Sequence, residues 1–122
     1  MNEVKHDIQN RDDVALLVNT FYDKVKVDAL LAPVFAHVDW PHHLPIMYNF
    51  WSSVLLGDLS YTGSPLQKHM GLPITKEHFT RWLKLFNENV DREFSGPVAT
   101  EAKNRAQTIA SLFQYKMGLT AD

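Results

Sequence analysis

Histidine and aromatic side chains carry most of the possible chemistry in this sequence. There are 6 His, 3 Trp, 4 Tyr and 7 Phe in 122 residues, and there is no Cys. The absence of Cys excludes disulfides, thiolate metal sites, iron–sulfur clusters and Cys nucleophiles. Imidazole is therefore the strongest metal ligand or proton carrier that the chain offers.

Known catalytic and metal-binding motifs are missing. The sequence contains no HExxH motif, no Gly-rich phosphate loop and no G-x-S-x-G motif. Its single Glu-x-x-His pair, Glu3 and His6, lies at the polar N-terminus. His42 and His43 are adjacent, so on a helix they diverge by about 100° and cannot chelate one ion. A structural zinc site or a di-iron site is thus disfavoured.

His69 is the histidine with the most suggestive surroundings. It lies in a segment with Ser64 as cap, Pro65 just inside and Gly71 just past the end, which predicts a short helix over 64–71. A single imidazole on a short element between aromatic-rich helices suits an axial ligand of haem. The alternative is a surface histidine stabilised by the dipole at a helix C-terminus.

Three further polar side chains lie on apolar stripes. Tyr22 follows Phe21 on the first helix, His43 heads the stripe of the second, and Trp82 lies mid-way along the third. Each would bring a hydrogen-bond donor toward the core, and a buried donor needs a partner. Together they predict a polar patch in an apolar pocket, suited to a small polar diatomic. Alternatively, Tyr22 and Trp82 are ordinary core aromatics with their polar tips at the rim, and His43 faces water.

The elements that must position these side chains are helices, because apolar residues recur at spacings of three and four throughout. We predict an all-α fold with four longer helices and two short ones, and a short turn segment at 29–35 that contains Pro33. Asp12 or Asp13 is expected to cap the first helix. Thr75 is expected to cap the third, Gly96 and Pro97 to separate it from the last, and the last to carry apolar residues from 102 to 117.

The second helix has an ambiguous start. Asp39 is a plausible cap and Pro41 sits where an early proline is tolerated. Pro45 removes a backbone donor and disfavours the α conformation at Leu44. The helix is therefore expected either to begin near Pro45 or to be irregular there, which bears on the direction of His43.

Length and charge limit the function classes further. We expect a single domain over 1–122, with residues 1–10 loosely packed, and a monomer. The net charge of −2 leaves no basic excess for a nucleic acid. The longest apolar run, 54–56, is too short to cross a bilayer, and the N-terminus has no apolar signal core, so we expect a cytoplasmic protein.

Several segments, in their order and spacing, resemble group III truncated haemoglobins over nearly the whole chain. The matching pieces are 21–25 (FYDKV), 33–35 (PVF), 49–51 (NFW), 55–57 (LLG), 65–69 (PLQKH), 81–86 (RWLKLF) and 105–110 (RAQTIA). The resemblance implies a truncated globin fold, a two-over-two helical sandwich around a non-covalent b-type haem.

The resemblance also implies roles for individual residues. His69 would be the proximal ligand of the haem iron, and Tyr22, His43 and Trp82 would line the distal side. Phe35 matches the phenylalanine that packs on the porphyrin face. Stripe position and family pattern together add further haem contacts at Phe21, Met47, Phe50, Leu66, Leu72, Ile74, Trp82, Phe86, Ile109 and Phe113. Pro45 departs from the expected pattern and leaves the direction of His43 open.

Three functions remain open from the sequence. The first is reversible binding of oxygen, CO or NO at a pentacoordinate or weakly hexacoordinate haem iron, as in oxygen transport. The second is haem-dependent redox catalysis, as a nitric oxide dioxygenase or a peroxidase-like enzyme, which would need an external reductase. The third is a haem-free helical interaction module whose aromatic stripes are simply core.

Overall fold

The structure is a computed structural model, and it describes residues 5–36, 38–57 and 74–116. Within these ranges the regular elements are four α-helices, and no strand is present: α1 (Arg11–Val25), α2 (Trp40–Leu56), α3 (Lys76–Glu93) and α4 (Pro97–Lys116). The predicted all-α class is confirmed. The short helix predicted at 64–71 lies outside the described residues, and so do His69, Leu66 and Leu72. None of the four described helices is long and apolar enough to cross a membrane.

Helix α1 forms the centre of the core. Its apolar residues recur at three- and four-residue spacing and are buried as predicted: Val14, Leu17, Val18, Phe21 and Val25. The predicted cap is wrong, because Asn10 is the N-cap and its side chain accepts a hydrogen bond of 3.0 Å from the amide of Asp13. Asp12 and Asp13 lie in the first turn instead, where negative charge favours the helix dipole.

Helix α2 begins at Trp40, with Asp39 as N-cap and Pro41 in the first turn. The expectation of a start near Pro45, or of an irregular helix there, is wrong, because the helix runs unbroken through Pro45 to Leu56. Pro45 is exposed, so its ring projects into solvent. The hydrogen bond that it removes would have reached the carbonyl of residue 41, within the first turn. Gly57 ends the helix with φ +74°, a left-handed conformation that glycine adopts readily.

The junction of α3 and α4 involves the N-terminal segment. Gly96 separates the helices with φ +142°, and a Cβ there would lie 2.6 Å from the Asp7 side chain. The Asp7 carboxylate accepts hydrogen bonds from the amides of Val98 (2.9 Å) and Ala99 (2.8 Å) and so caps α4. Ile8 is 2% exposed, so its side chain belongs to the core. Burial alone would raise the pKa of Asp7, but the hydrogen bonds from Val98, Ala99 and Ile8 lower it on balance.

One buried amide, that of Asn89, is fully hydrogen-bonded where α1 packs against α3. Asn89 has no exposed surface, and its amide nitrogen donates to the carbonyl of Leu17 (3.2 Å) and to the hydroxyl of Thr20 (3.0 Å). Its amide oxygen accepts a hydrogen bond of 2.6 Å from the Lys24 ammonium. Every hydrogen-bonding atom of the buried amide therefore has a partner in the protein.

Helix α1 packs against both α2 and α3, while α3 also packs against α4, and α2 touches α4 less extensively. Residues 26–36 form a series of turns that link α1 to the approach to α2. The apolar faces of all four helices and of these turns meet around a cavity.

Candidate functional site

A cavity that is open to solvent lies between the four helices and the turns at 26–36. Apolar side chains make up most of its walls: Tyr22, Leu31, Val34, Phe35, Met47, Phe50, Trp51, Ile74, His78, Phe79, Trp82, Ile109, Ala110 and Phe113 line it. A mostly apolar wall with few polar groups is typical of pockets for small molecules and cofactors.

Tyr22 brings a hydroxyl into this cavity. The residue is 6% exposed, and its ring contacts Phe21 at 4.9 Å and Phe35 at 6.1 Å between centroids. Burial raises the pKa of the phenol far above its usual value, so the hydroxyl keeps its proton at physiological pH. Within residues 5–36, 38–57 and 74–116, no protein group accepts a hydrogen bond from this hydroxyl, and its oxygen keeps some surface open to the cavity. The phenol is therefore a donor at the cavity wall that a ligand could use.

The indole of Trp82 belongs to a stack of three aromatic rings. Phe86 lies nearly parallel to Trp82 (16°, 5.6 Å) and to Trp51 (21°, 4.9 Å). Both tryptophans line the cavity, whereas Phe86 is 1% exposed and does not. Phe21 packs edge-on against Trp82 and Phe86. This stack fixes the plane of the Trp82 ring.

His43 lies on the same face of α2 as Met47 and Phe50, at spacings of four and three residues. Its half-buried ring packs edge-on against Tyr22, with 5.5 Å between centroids. It is not among the lining side chains of the cavity. The unbroken course of α2 through Pro45 thus places His43 beside the buried phenol.

The structure brings together many of the side chains that the sequence singled out as haem contacts. Those that line the cavity are Phe35, Met47, Phe50, Ile74, Trp82, Ile109 and Phe113, together with Tyr22. Phe21 and Phe86 lie one layer behind, in the helix core. His69, Leu66 and Leu72 belong to the part of the chain that the structure does not describe.

Some lining residues were missed by the sequence analysis, among them Leu31, Val34, His78, Phe79 and Ala110. His78 has a recognisable signature, because it stands three residues after the N-cap Thr75, where a capping box places Glu or Gln. Its Nδ1 accepts a hydrogen bond of 2.9 Å from the Thr75 amide and lies 2.8 Å from the Thr75 hydroxyl. The spacing to Trp82 is four residues, so one face of α3 presents both rings to the cavity.

An ion pair holds the turns at 26–36 against α3. The Arg81 guanidinium donates a hydrogen bond of 2.7 Å to one oxygen of buried Asp28, and the amides of Leu30 and Leu31 donate to the other at 3.1 and 3.0 Å. Burial alone would raise the pKa of Asp28, but the bonds from Arg81 and these amides lower it on balance. The pair positions Leu31, Val34 and Phe35 along the cavity wall.

Comparison with known proteins covers nearly the whole chain. Residues 6–117 match the family described as bacterial-like globin. The group 3 truncated hemoglobin ctb of Campylobacter jejuni is 38% identical over 125 residues, which cover 94% of this chain and 98% of that protein. The group 1 truncated hemoglobin GlbN of Nostoc commune is 28% identical over 91 residues, covering 74% of this chain and 77% of that protein.

A solved structure gives the same result. The crystal structure of the group III truncated hemoglobin from Campylobacter jejuni matches with a TM-score of 0.85 and 37% identity, covering 93% of this chain and 95% of that chain. The helix arrangement described above is therefore the two-over-two sandwich of these proteins. The chain belongs to the bacterial-like globin family and is a truncated haemoglobin of group III.

Proposed function

We propose that this protein binds a diatomic gas reversibly at a b-type haem held in the cavity, with His69 as the proximal ligand of the iron. Globin family membership implies a haem cofactor and a gas ligand. The observation that carries the proposal is the apolar cavity between the helices with the side chain of Tyr22 in its wall.

The described residues fit a flat, mostly apolar macrocycle. Phe35, Met47, Phe50, Ile109 and Phe113 supply aromatic and aliphatic surface from three sides, as the faces of a porphyrin require. The apolar walls would exclude water, which strengthens any hydrogen bond formed inside.

When bound, the haem would supply the iron that takes up the gas. The Tyr22 hydroxyl would donate a hydrogen bond to a polar ligand in the cavity, and the Trp82 indole N–H would be a second donor. His43, beside Tyr22, would orient the phenol or coordinate the iron weakly. Oxygen is more polar than CO in its bound state, so these donors would retain oxygen selectively.

Absorption spectra of the purified protein test the proposal, recorded in the ferric and ferrous states with and without CO. We compare wild type with His69→Ala and, as a control, with His42→Ala, an exposed histidine on α2. Loss of haem affinity and a changed ferrous spectrum in His69→Ala alone, restored by added imidazole, would support His69 as the ligand. Equal haem uptake and an unchanged spectrum in His69→Ala would refute this role.

Measurements on the same samples distinguish the proposed function from the two alternatives, a haem-free module and a redox enzyme. A stable wild-type protein without a Soret band would show a haem-free module. Sustained consumption of nitric oxide or peroxide with an added reductase would show a redox enzyme that uses the same haem, with His43 able to carry a proton. Gas binding without such turnover is the outcome that the proposed function predicts.

A further inference from the structure

Trp40, the first residue of α2, joins the polar side chains of the site without lining the cavity itself. Its ring lies 5.2 Å from Tyr22 at 54° and 5.6 Å from His43 at 79°. Tyr22 and His43 are 5.5 Å apart at 80°. The three rings therefore form a triangle of mutual contacts, in which each ring limits the rotation of the other two.

Two further groups hold the indole in place. Phe35 is stacked on it at 24° with 6.1 Å between centroids, and the Lys26 ammonium lies 4.6 Å from the ring centroid. Lys26 is the C-cap of α1, so the contact ties the end of α1 to the start of α2. Trp40 is thus braced from α1, from the turns at 26–36 and from its own helix.

We infer that Trp40 is a positioning residue for the ligand site. It holds the Tyr22 phenol and the His43 ring in the orientation that a polar ligand needs, and so sets how long oxygen stays bound. The inference deepens the proposed function and rests on it. Hydrogen-bond strength falls steeply with misalignment, so a phenol that is free to tilt in the cavity would bind oxygen less well even with its hydroxyl present.

The alternative is a purely structural role, in which Trp40 only adds buried area to the core. Loss of such a role would lower the stability of the fold without a preference for one gas. Loss of positioning would raise the oxygen dissociation rate and leave that of CO nearly unchanged. The two roles also differ in their dependence on Tyr22, because Trp40 can act on oxygen only through the groups it touches.

The test compares wild type, Trp40→Leu and Trp40→Phe, each with and without Tyr22→Phe, in the haem-loaded protein. Aromatic pairs contribute about 0.5–1.5 kcal/mol, so Trp40→Leu should raise the oxygen dissociation rate about two- to tenfold. Trp40→Phe, which keeps a ring, should restore most of the wild-type rate. With Tyr22→Phe present, Trp40→Leu should add little, since interacting residues are non-additive.

A spectroscopic measurement and a control variant complete the design. The C–O stretching frequency of the CO complex, which reports on donors near the ligand, should shift in Trp40→Leu. It should stay unchanged in Phe94→Leu, which truncates a buried ring that lies outside the cavity lining and contacts His6. The Phe94 variant controls for a general loss of core packing.

The outcomes separate this inference from the proposed function. Equal changes for oxygen and CO, full additivity with Tyr22→Phe, or the same effect in Phe94→Leu would overturn the role of Trp40 alone. Identical oxygen dissociation rates in haem-loaded wild type and Trp40→Leu would also overturn the role of Trp40. A wild-type protein that takes up no gas would overturn both proposals.

Discussion

Two polar groups close to α1, the Asn89 amide on α3 and the Tyr22 hydroxyl on α1 itself, differ in their hydrogen bonding. Where α1 crosses α3, the Asn89 amide is fully buried and bonded to Leu17, Thr20 and Lys24. Two residues beyond Thr20, Tyr22 is almost as buried, yet its hydroxyl has no acceptor in the described part of the chain. The Asn89 amide has all of its partners within the protein, whereas the Tyr22 hydroxyl opens onto the cavity, where a ligand can accept its hydrogen bond.

The contrast distinguishes structural polarity from polarity reserved for a ligand. A saturated buried amide specifies how two helices pack, and losing any partner leaves another group unsatisfied. A hydroxyl that faces a cavity is not used in packing the helices, so its donor is available to a ligand. Substitution of Tyr22 should therefore change ligand release, and substitution of Asn89 should change the free energy of unfolding.

The largest expected effect is on oxygen release after Tyr22→Phe. A hydrogen bond to a charged or strongly polar ligand contributes about 1.5–3 kcal/mol, so its loss should raise the oxygen dissociation rate about ten- to a hundredfold. The CO rate should change far less. Tyr48→Phe is the matched control, because the Tyr48 hydroxyl already donates to Asn19 within the protein. Flash photolysis and rapid mixing measure both rates, and equal changes for the two gases would contradict the assignment of Tyr22.

Asn89→Leu should instead lower the stability of the fold. The substitution nearly conserves volume but removes three hydrogen bonds, those of Asn89 with the Leu17 carbonyl, the Thr20 hydroxyl and the Lys24 ammonium. The Thr20 hydroxyl still donates to the Leu16 carbonyl, so the main loss is at the Lys24 ammonium. An unsatisfied buried group costs about 1–3 kcal/mol, so we expect a loss of about 2 kcal/mol in the free energy of unfolding by urea.

The same titration on Tyr22→Phe completes the comparison. With no hydrogen bond to lose within the described protein, the haem-free variant should unfold within about 0.5 kcal/mol of wild type. Asn89→Leu, in turn, should leave the gas rates unchanged. A Tyr22→Phe protein that is as destabilised as Asn89→Leu would show that the phenol is a structural group.

Helical periodicity made the helices and part of the site predictable. Tyr22 and Trp82 could be recognised because they interrupt apolar stripes with polar atoms, and the structure places both in the cavity wall. Position on an apolar stripe did not distinguish the residues that line the cavity from those in the core behind it. Phe21 and Phe86 are as buried as any stripe residue, but they face neighbouring rings, because periodicity gives the face of a helix and not what lies opposite.

Other features depend on contacts that no local pattern contains. Asn10 is the N-cap of α1 although two aspartates follow within three residues. All three residue types are good N-caps, so the local sequence does not indicate which of them is used. Pro45 is tolerated because the lost bond lies in the first turn and the ring faces solvent. Leu31 and Val34 reach the cavity only because Asp28 pairs with Arg81, 53 residues away.

Asp28→Asn gives the smallest of the expected effects and tests a saturated group at the cavity edge. Removing the charge weakens the bond to Arg81, whose side chain is 41% exposed, so solvent screening reduces the loss to about 1 kcal/mol. Because the folded pKa of Asp28 is lowered, its ionised form favours folding. This contribution is complete above the ordinary pKa of about 3.9 and is lost as the pH falls through the folded value. The unfolding curves of wild type and variant should therefore converge below about pH 4.

Asp7→Asn is the matched control for this variant. Asp7 also has a lowered pKa and accepts three backbone hydrogen bonds, but it caps α4 and does not line the cavity. Both variants should lose stability at neutral pH and lose less in acid. Only Asp28→Asn should also raise the oxygen dissociation rate slightly, because only Asp28 anchors the turns that carry Leu31 and Phe35. An equal kinetic effect in both variants would mean that the rate follows overall stability, and that the polar anchor beside the cavity does not shape the ligand site.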